Sequence, residues 1–412
     1  MAWAACFLSL IMLVLQGWLP SVLSILVLLG SFALLCVLRP FEALRHLGAS
    51  PMAWAYPLLA LASVIWSPLP EVSLRHAIQF LATVGCAILA ARFLSPRQFI
   101  SALMMSFLTV ALINIGFGGY GADSLTGDVA FQGTFGSKNQ LAFVVSILML
   151  AGMAVLLDSG QPRIFRLLAI PSLSLVLPLL VLSRSATAFV ASGAGVALLI
   201  ASFVLSRLRP LQRALLLLAM LTTFLPALSL LGYTDELATL FITETLGKDT
   251  TLTGRTVLWD RAAVLIPDHP VLGLGFQAFW QPGNLEAEAL WARFHVRGGF
   301  HFHNAWVEST MQLGVVGAAL LALTLATGIV FCLAWSWRER SMAPAFFIAY
   351  LLMVTIRSFV ELDVATQFSY STVLFYAAVV FAIDHRLGAQ RLAWRAGPSF
   401  ISPAAARHAL PR

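Results

Sequence analysis

Runs of about 20 apolar residues recur along almost the whole chain, and a run of that length fixes what its segment can become. A bilayer core offers no partner to backbone N–H and C=O groups, so a spanning segment must satisfy them itself, as a helix of about 20 residues does. Spans are expected near 3–19, 21–38, 52–67, 74–94, 99–118, 140–157, 164–183, 186–206, 211–233, 304–335, 342–360 and 366–384. The composition agrees: 60% of the 412 residues are hydrophobic and 10% charged, with a mean hydropathy of +0.89, far from a soluble domain. The reading is an all-α, polytopic integral membrane protein of about twelve transmembrane helices. The first run lacks a basic flank and apolar character resumes at Pro20, so it reads as a retained helix rather than a cleaved signal. Cys6, Cys36, Cys86 and Cys332 all fall inside spans without paired spacing, which predicts packing residues, not disulfides or a zinc site.

Orientation follows from the basic residues, because Lys and Arg in short loops stay on the cytoplasmic side. With both termini cytoplasmic, 16 of the 25 basic residues fall inside: Arg39, Arg45, Arg92, Arg97, Arg163, Arg166, Arg207, Arg209, Arg213, Arg338, Arg340 and five in the tail after 385. The net charge of +7 is therefore mostly topogenic, and nucleic acid is not implied. The expected layout is nine helices over 1–233, a large outer loop over 234–303, three helices over 304–385 and a cytoplasmic tail over 386–412.

The other nine basic residues stand against that rule. Lys248, Arg261 and Arg297 belong to the outer loop, as do Arg255 and Arg293, whereas Arg75, Lys138, Arg184 and Arg357 sit in short outer connections or at helix ends. A charge there needs a partner: a membrane-level anion, or an acid such as Glu71, Glu361 or Asp363. In the outer loop, residues 253–267 place apolar side chains at helical spacing, with Arg255 in the first turn, where backbone N–H groups and a guanidinium can converge on one anion. Trp291, Arg293, His295 and Arg297 follow as an aromatic and basic surface suited to sugar or phosphate. Then come His301 and His303, with Asn304 and Glu308 beyond. Histidines at i and i+2 do not share a helical face and no third ligand is evident, so His303 reads either as a proton-transfer group or as a hydrogen-bonded helix start.

Five strings carry a resemblance. They are Phe131-Gln-Gly-Thr-Phe-Gly-Ser-Lys-Asn-Gln-Leu-Ala142, Ser183-Arg-Ser-Ala-Thr-Ala188, Gly254-Arg-Thr-Val-Leu-Trp259, Asp268-His-Pro-Val-Leu-Gly-Leu-Gly275, and His303-Asn304 with Leu313-Gly314. In this order and topology the chain resembles the O-antigen ligase and O-antigen polymerase superfamily. Gly247-Lys-Asp-Thr-Thr-Leu-Thr-Gly-Arg255, and Trp66-Ser-Pro68 followed by Ser73-Leu-Arg75, are most similar to its exopolysaccharide polymerase branch, that of the succinoglycan-type production proteins. The resemblance implies a glycosyltransferase of the C-type membrane fold in a bacterial inner membrane, working periplasmically on an undecaprenyl-diphosphate-linked oligosaccharide. It implies His303 as the base, with Arg255, Arg184 and Lys138 on the diphosphate. Arg75 and Arg357 join them by position, and Asn304, Asn139, Trp291 and Arg293 are candidate glycan contacts. The chain has no Asp-x-Asp pair, and neither metal nor cofactor is expected. The acceptor is a second lipid-linked glycan for a polymerase and lipid A–core for a ligase. Membrane lipids surround the chain, and a flippase and a chain-length regulator are implied partners. A transporter or flippase is the rival from another class; it would set its ionisable groups near the bilayer midplane.

Overall fold

A computed structural model describes residues 1–122, 129–209, 211–212, 254–296, 300–339 and 341–395. All but the first two residues of the expected span at 211–233, Lys248 and Arg297, Arg213 and Arg340, and most of the tail lie outside these residues. The described elements are α1 (Ala2–Val14), α2 (Ser21–Leu38), α3 (Pro40–Gly48), α4 (Pro51–Ala62), α5 (Pro70–Phe93), α6 (Pro96–Phe117), β1 (Gly119–Ala122), β2 (Val129–Gly133), α7 (Lys138–Leu157), α8 (Arg163–Ser183), α9 (Ala186–Arg207), α10 (Arg255–Leu265), α11 (Leu285–Arg293), α12 (Ala305–Ser336), α13 (Met342–Ser358) and α14 (Tyr370–Arg395). The protein is mainly helical and polytopic.

Among the described residues six helices are long and apolar enough to cross a membrane: α2, α5, α6, α7, α8 and α12. A seventh span arises if α3 and α4, bent by 79° at their junction, count as one. Apolar stretches in α1, α9, α13 and α14 are shorter, at 10–17 residues. Proline writes many boundaries, because it suits the first turn of a helix and stops what precedes it: α3, α4, α5 and α6 all begin on one. Two helices are shorter than the expected spans. The run at 3–19 is helical only to Val14, and the run at 52–67 leaves its α-helix at Ala62 for a tight turn through Ile65.

One correction to an all-α fold concerns 119–133. Gly119–Ala122 and Val129–Gly133 pair as two antiparallel strands; Gly118, Gly119 and Gly121 disfavour continuation of the preceding helix. Asn114 holds the base of this pair, accepting the Thr134 N–H at 2.7 Å.

The bundle core is formed by α5, α6, α7, α13 and α14, with Phe80, Phe99, Phe107, Phe143, Phe347 and Tyr376 fully buried. By contrast α2 and α8 expose apolar side chains, among them Val22, Leu26, Leu167 and Val181. Such faces are stable only against lipid. Ion pairs gather at helix ends. At one end Arg92 meets Asp384 at 2.7 Å and Arg97 meets Asp158 at 2.8 Å. At the other end, the starts of α5, α7, α9, α12 and α14 and the close of α13 assemble the site.

Candidate active site at one end of the bundle

The site begins with a break in α12. Its backbone leaves helical geometry at Gly314 (φ 64°, ψ −166°), and the segment 270–275 pairs with the opened turn. The Leu274 and Gly275 N–H groups donate to the Met311 and Gln312 carbonyls at 2.9 and 2.8 Å, and the Val315 N–H donates to the Pro270 carbonyl at 2.9 Å. A side chain at Gly314 would overlap the Val271 carbonyl, and one at Gly273 the backbone of 312–314. That explains the glycines of the Asp268–Gly275 and Leu313-Gly314 strings: two backbones meet where no Cβ fits. The Trp66 string serves the same segment. Trp66 Nε1 donates to the Leu272 carbonyl at 3.1 Å, and Ser73 Oγ to the Phe276 carbonyl at 2.9 Å.

Beside this junction α10 and α11 form a small lobe around Leu258, Phe279, Leu290, Trp291, Phe302 and Met311. Arg261 ties the two helices together by a bidentate pair with Glu286. The expected exposed surface is corrected for Trp291, which is 9% exposed and packs in this apolar centre near Trp280. An aromatic ring on the inner face of a short helix is better buried than hydrated. Arg293, at the last turn of α11, is exposed.

The lobe presents the turn 300–304. Trp259 Nε1 donates to the Phe302 carbonyl at 2.8 Å. Buried Glu308 accepts the Phe302 N–H at 2.9 Å, along with Gln312 Nε2 at 2.7 Å and Trp280 Nε1 at 3.4 Å. Glu308 reaches back in this way because the turn is not helical: His303 has φ 49°. Asn304 caps α12, its Oδ1 accepting the Trp306 and Val307 N–H groups at 2.9 and 3.1 Å, while its Nδ2 donates to the Phe359 carbonyl at 3.0 Å. His303 is thus clamped on both sides.

Glu361, in the connection between α13 and α14, is the hub. Its Oε1 accepts Arg255 Nη2 at 2.6 Å and Asn139 Nδ2 at 2.9 Å. Its Oε2 lies 3.5 Å from His303 Nδ1. Asn139 Oδ1 in turn accepts the Ser185 hydroxyl at 2.8 Å. Five elements converge here: α7, the start of α9, α10, the turn before α12 and the connection after α13. Burial pushes the Glu361 carboxyl upward, but the His303 hydrogen bond and the charges of Arg255 and Arg357 outweigh it and hold the group down at about 2. The His301 ring lies 4.1 Å from that of His303. Burial first, then the neighbouring His303 and Arg255, lower His301 to about 3, so it is neutral near neutrality.

The remaining cations surround this hub differently. Arg255 is 6% exposed and its Nε has no partner among the described residues. Arg357 is buried under the Phe143 ring, 4.2 Å from its centroid, and grips Asp363 bidentately at 2.6 and 3.1 Å. Lys138 is buried at the first residue of α7. Arg184 is exposed at the α8–α9 junction in a left-handed conformation (φ 48°, ψ 29°), which costs a non-glycine residue about 1 kcal/mol. Arg75 is exposed on α5 against His76 at 3.1 Å, and His76 meets Gln367 at 2.8 Å in the connection that carries Glu361. Among the described residues no three His, Cys, Asp or Glu side chains are grouped to hold a metal.

The helical bundle thus gathers a clamped histidine, a buried carboxylate and several cations at one of its ends. Residues 171–322 match the O-antigen ligase family. The chain is also 33% identical over 356 residues, 84% of its own length and 80% of the relative's, to the exopolysaccharide production protein ExoQ of Rhizobium meliloti (strain 1021). The chain belongs to the O-antigen ligase and polymerase superfamily, whose exopolysaccharide-production members it resembles.

Proposed function

We propose that the protein polymerises undecaprenyl-diphosphate-linked repeat units into exopolysaccharide, by an inverting and metal-independent transfer on the periplasmic side. The observation that carries this reading is the contact of His303 with Glu361, which also holds Arg255. With Nδ1 turned to a carboxylate that is ionised throughout the working pH range, the ring carries its proton there, and Nε2 is left as the acceptor. His303 Nε2 takes the proton of the acceptor hydroxyl. The hydroxyl oxygen bonds to the anomeric carbon from the face opposite the diphosphate, and the carbon–oxygen bond to the diphosphate breaks with its electron pair. One direct displacement inverts the centre.

The leaving diphosphate gains negative charge as that bond breaks, and preorganised cations stabilise it. Arg255 shares Glu361 with the base; Arg184, Lys138 and Arg75 are the further cations assigned to the diphosphate. Arg357 acts from beneath by fixing the connection that bears Glu361. Asn139 and Asn304 hold the framework through the bonds already described, and Arg293 remains available to a glycan. The charges gather at helix ends rather than at mid-bundle, which supports transfer over transport.

The test is reconstitution with an undecaprenyl-diphosphate-linked repeat unit in the presence of chelator, comparing wild type with His303→Ala on a glycan gel. A ladder that the variant lacks supports the reading. A single shift that appears only with lipid A–core makes the protein a ligase, and neither product from folded protein removes the glycosyltransferase reading.

A further inference from the structure

His303 stands in the left-handed backbone region at φ 49°, which is unfavourable for any residue that carries a Cβ. Something must hold it there. Its neighbours are held by the lobe and the helix: Glu308 accepts the Phe302 N–H, Trp259 donates to the Phe302 carbonyl, and Asn304 caps α12. The N–H of His303 itself donates to Nδ1 of His301 at 3.0 Å. A side-chain acceptor that takes the N–H two residues on closes the same turn that Asn and Asp make, whose Oδ1 is bonded to Cγ just as Nδ1 is in histidine.

A ring nitrogen that accepts carries no proton, so His301 is neutral with its proton on Nε2. Such a ring has no lone pair left for the proton of a substrate hydroxyl, and of the two histidines only His303 can take it. The surroundings keep His301 in that form. Burial is the largest effect against its cation; His303 and Arg255 add to it, and Glu361 opposes them. The His301 ring lies 4.1 Å from that of His303, tilted by 47°, and Phe300 meets His303 edge-on at 5.6 Å. The base is thus flanked by two rings while its Nδ1 lies 3.5 Å from Glu361 Oε2.

We propose that His301 is a positioning residue: its unprotonated Nδ1 holds His303 in the left-handed turn that aims the base at Glu361. The inference rests on the functional reading above. Glu361 sets where the His303 proton sits, and His301 sets where the His303 ring stands. Were His301 only packing, an aromatic ring of similar size would replace it and no acceptor would be needed. As the acceptor of the turn it can lose the ring but not the acceptor. The two requirements come apart in two substitutions.

His301→Phe keeps a ring and removes the acceptor; His301→Asn keeps an acceptor bonded to Cγ and removes the ring. Both full-length variants are reconstituted with an undecaprenyl-diphosphate-linked repeat unit beside wild type and His303→Ala, and initial rates of ladder formation are measured against donor concentration. His301→Phe should lose roughly a hundredfold in kcat, the cost of misplacing a reacting group by about 1 Å, with KM for the donor little changed. His301→Asn should recover most of that loss. Wild-type kcat in folded His301→Phe, or a loss in His301→Asn as deep as in His301→Phe, overturns the positioning role and leaves His303 as the base. A second measurement needs no turnover. In nitrogen NMR spectra of histidine-labelled wild type at about pH 5.5, the ring signal that His301→Asn removes should be neutral with its proton on Nε2, although a histidine of ordinary value 6.5 is mostly charged there. A cationic ring, or one protonated on Nδ1, overturns the inference even if His301→Phe fails to fold. A wild type that makes no product while its His301 ring is neutral removes the functional reading, and with it the base that His301 positions.

Discussion

Replacing Glu361 with Gln changes one atom of the hub and should stop the reaction while sparing most of the fold. In Glu361 the Oε1 acceptor serves Arg255 at 2.6 Å and Asn139 at 2.9 Å, and a Gln carbonyl can keep both. The amide nitrogen then occupies the Oε2 position, 3.5 Å from His303 Nδ1. An N–H facing Nδ1 makes that atom the acceptor, so the ring proton moves to Nε2 and the base is lost. A carboxylate-to-amide change that imposes the wrong histidine tautomer costs a hydrolase triad about 10⁴ in kcat. Here the contact is longer, and a fall of roughly 10³ to 10⁴ is expected, with KM changed little because the cations stay in place. Stability should fall by about 1.5–3 kcal/mol, the worth of a hydrogen bond to a charged group. The assay is the initial rate of ladder formation by Glu361→Gln, His303→Ala and the double variant in matched amounts. Residues acting as one unit are strongly non-additive, so the double variant should be no slower than His303→Ala. Wild-type kcat in folded Glu361→Gln, or a double variant slower by the product of the single losses, refutes the tautomer argument.

Three further outcomes are expected. Arg255→Lys should keep part of the donor affinity but lose the planar guanidinium geometry, and Arg255→Ala should lose most transfer activity in initial-rate assays at matched expression; full turnover by the alanine variant removes Arg255 from the mechanism. Gly314→Ala places a Cβ against the Val271 carbonyl at φ 64°, ψ −166°, a region essentially restricted to glycine, and should lower stability by about 2–4 kcal/mol in thermal unfolding. The folded-state values of His301 and Glu361 both lie below their ordinary ones, about 3 against 6.5 and about 2 against 4.5. Stability present near pH 7 is therefore lost first as pH falls from 6.5 toward 3 through His301, then from 4.5 toward 2 through Glu361. The unfolding midpoint should drop between pH 7 and pH 5, and His301→Gln should flatten that drop.

Much of this was legible because long apolar runs and helix-breaking prolines speak locally. The starts of α5, α6 and α7, the helix following Gly254, and the clustering of cations at helix ends all follow from residue order. Glu361 was harder to read. It stood out only as an acid near Arg357, and its role depends on α7, α10 and the 300–304 turn meeting around it, partners up to 222 positions away. The reach of Glu308 to Phe302 was not legible, since it requires a non-helical turn at His303 that residue order does not announce. The surface expected from Trp291 and its neighbours failed for Trp291 because the spacing of aromatic residues does not say which side of a nine-residue helix finds a core.

The seam between 270–275 and the opened turn of α12 also fixes an order of assembly. The loop is synthesised before the helix segment whose carbonyls its N–H groups require, and Glu361 comes later still. During biogenesis the lobe has no docking place until α12 is made, and His303 has no carboxylate partner until the connection after α13 follows. On the proposed mechanism a chain that stops short of Glu361 has no carboxylate to orient its histidine, and competence waits for the last part of the sequence.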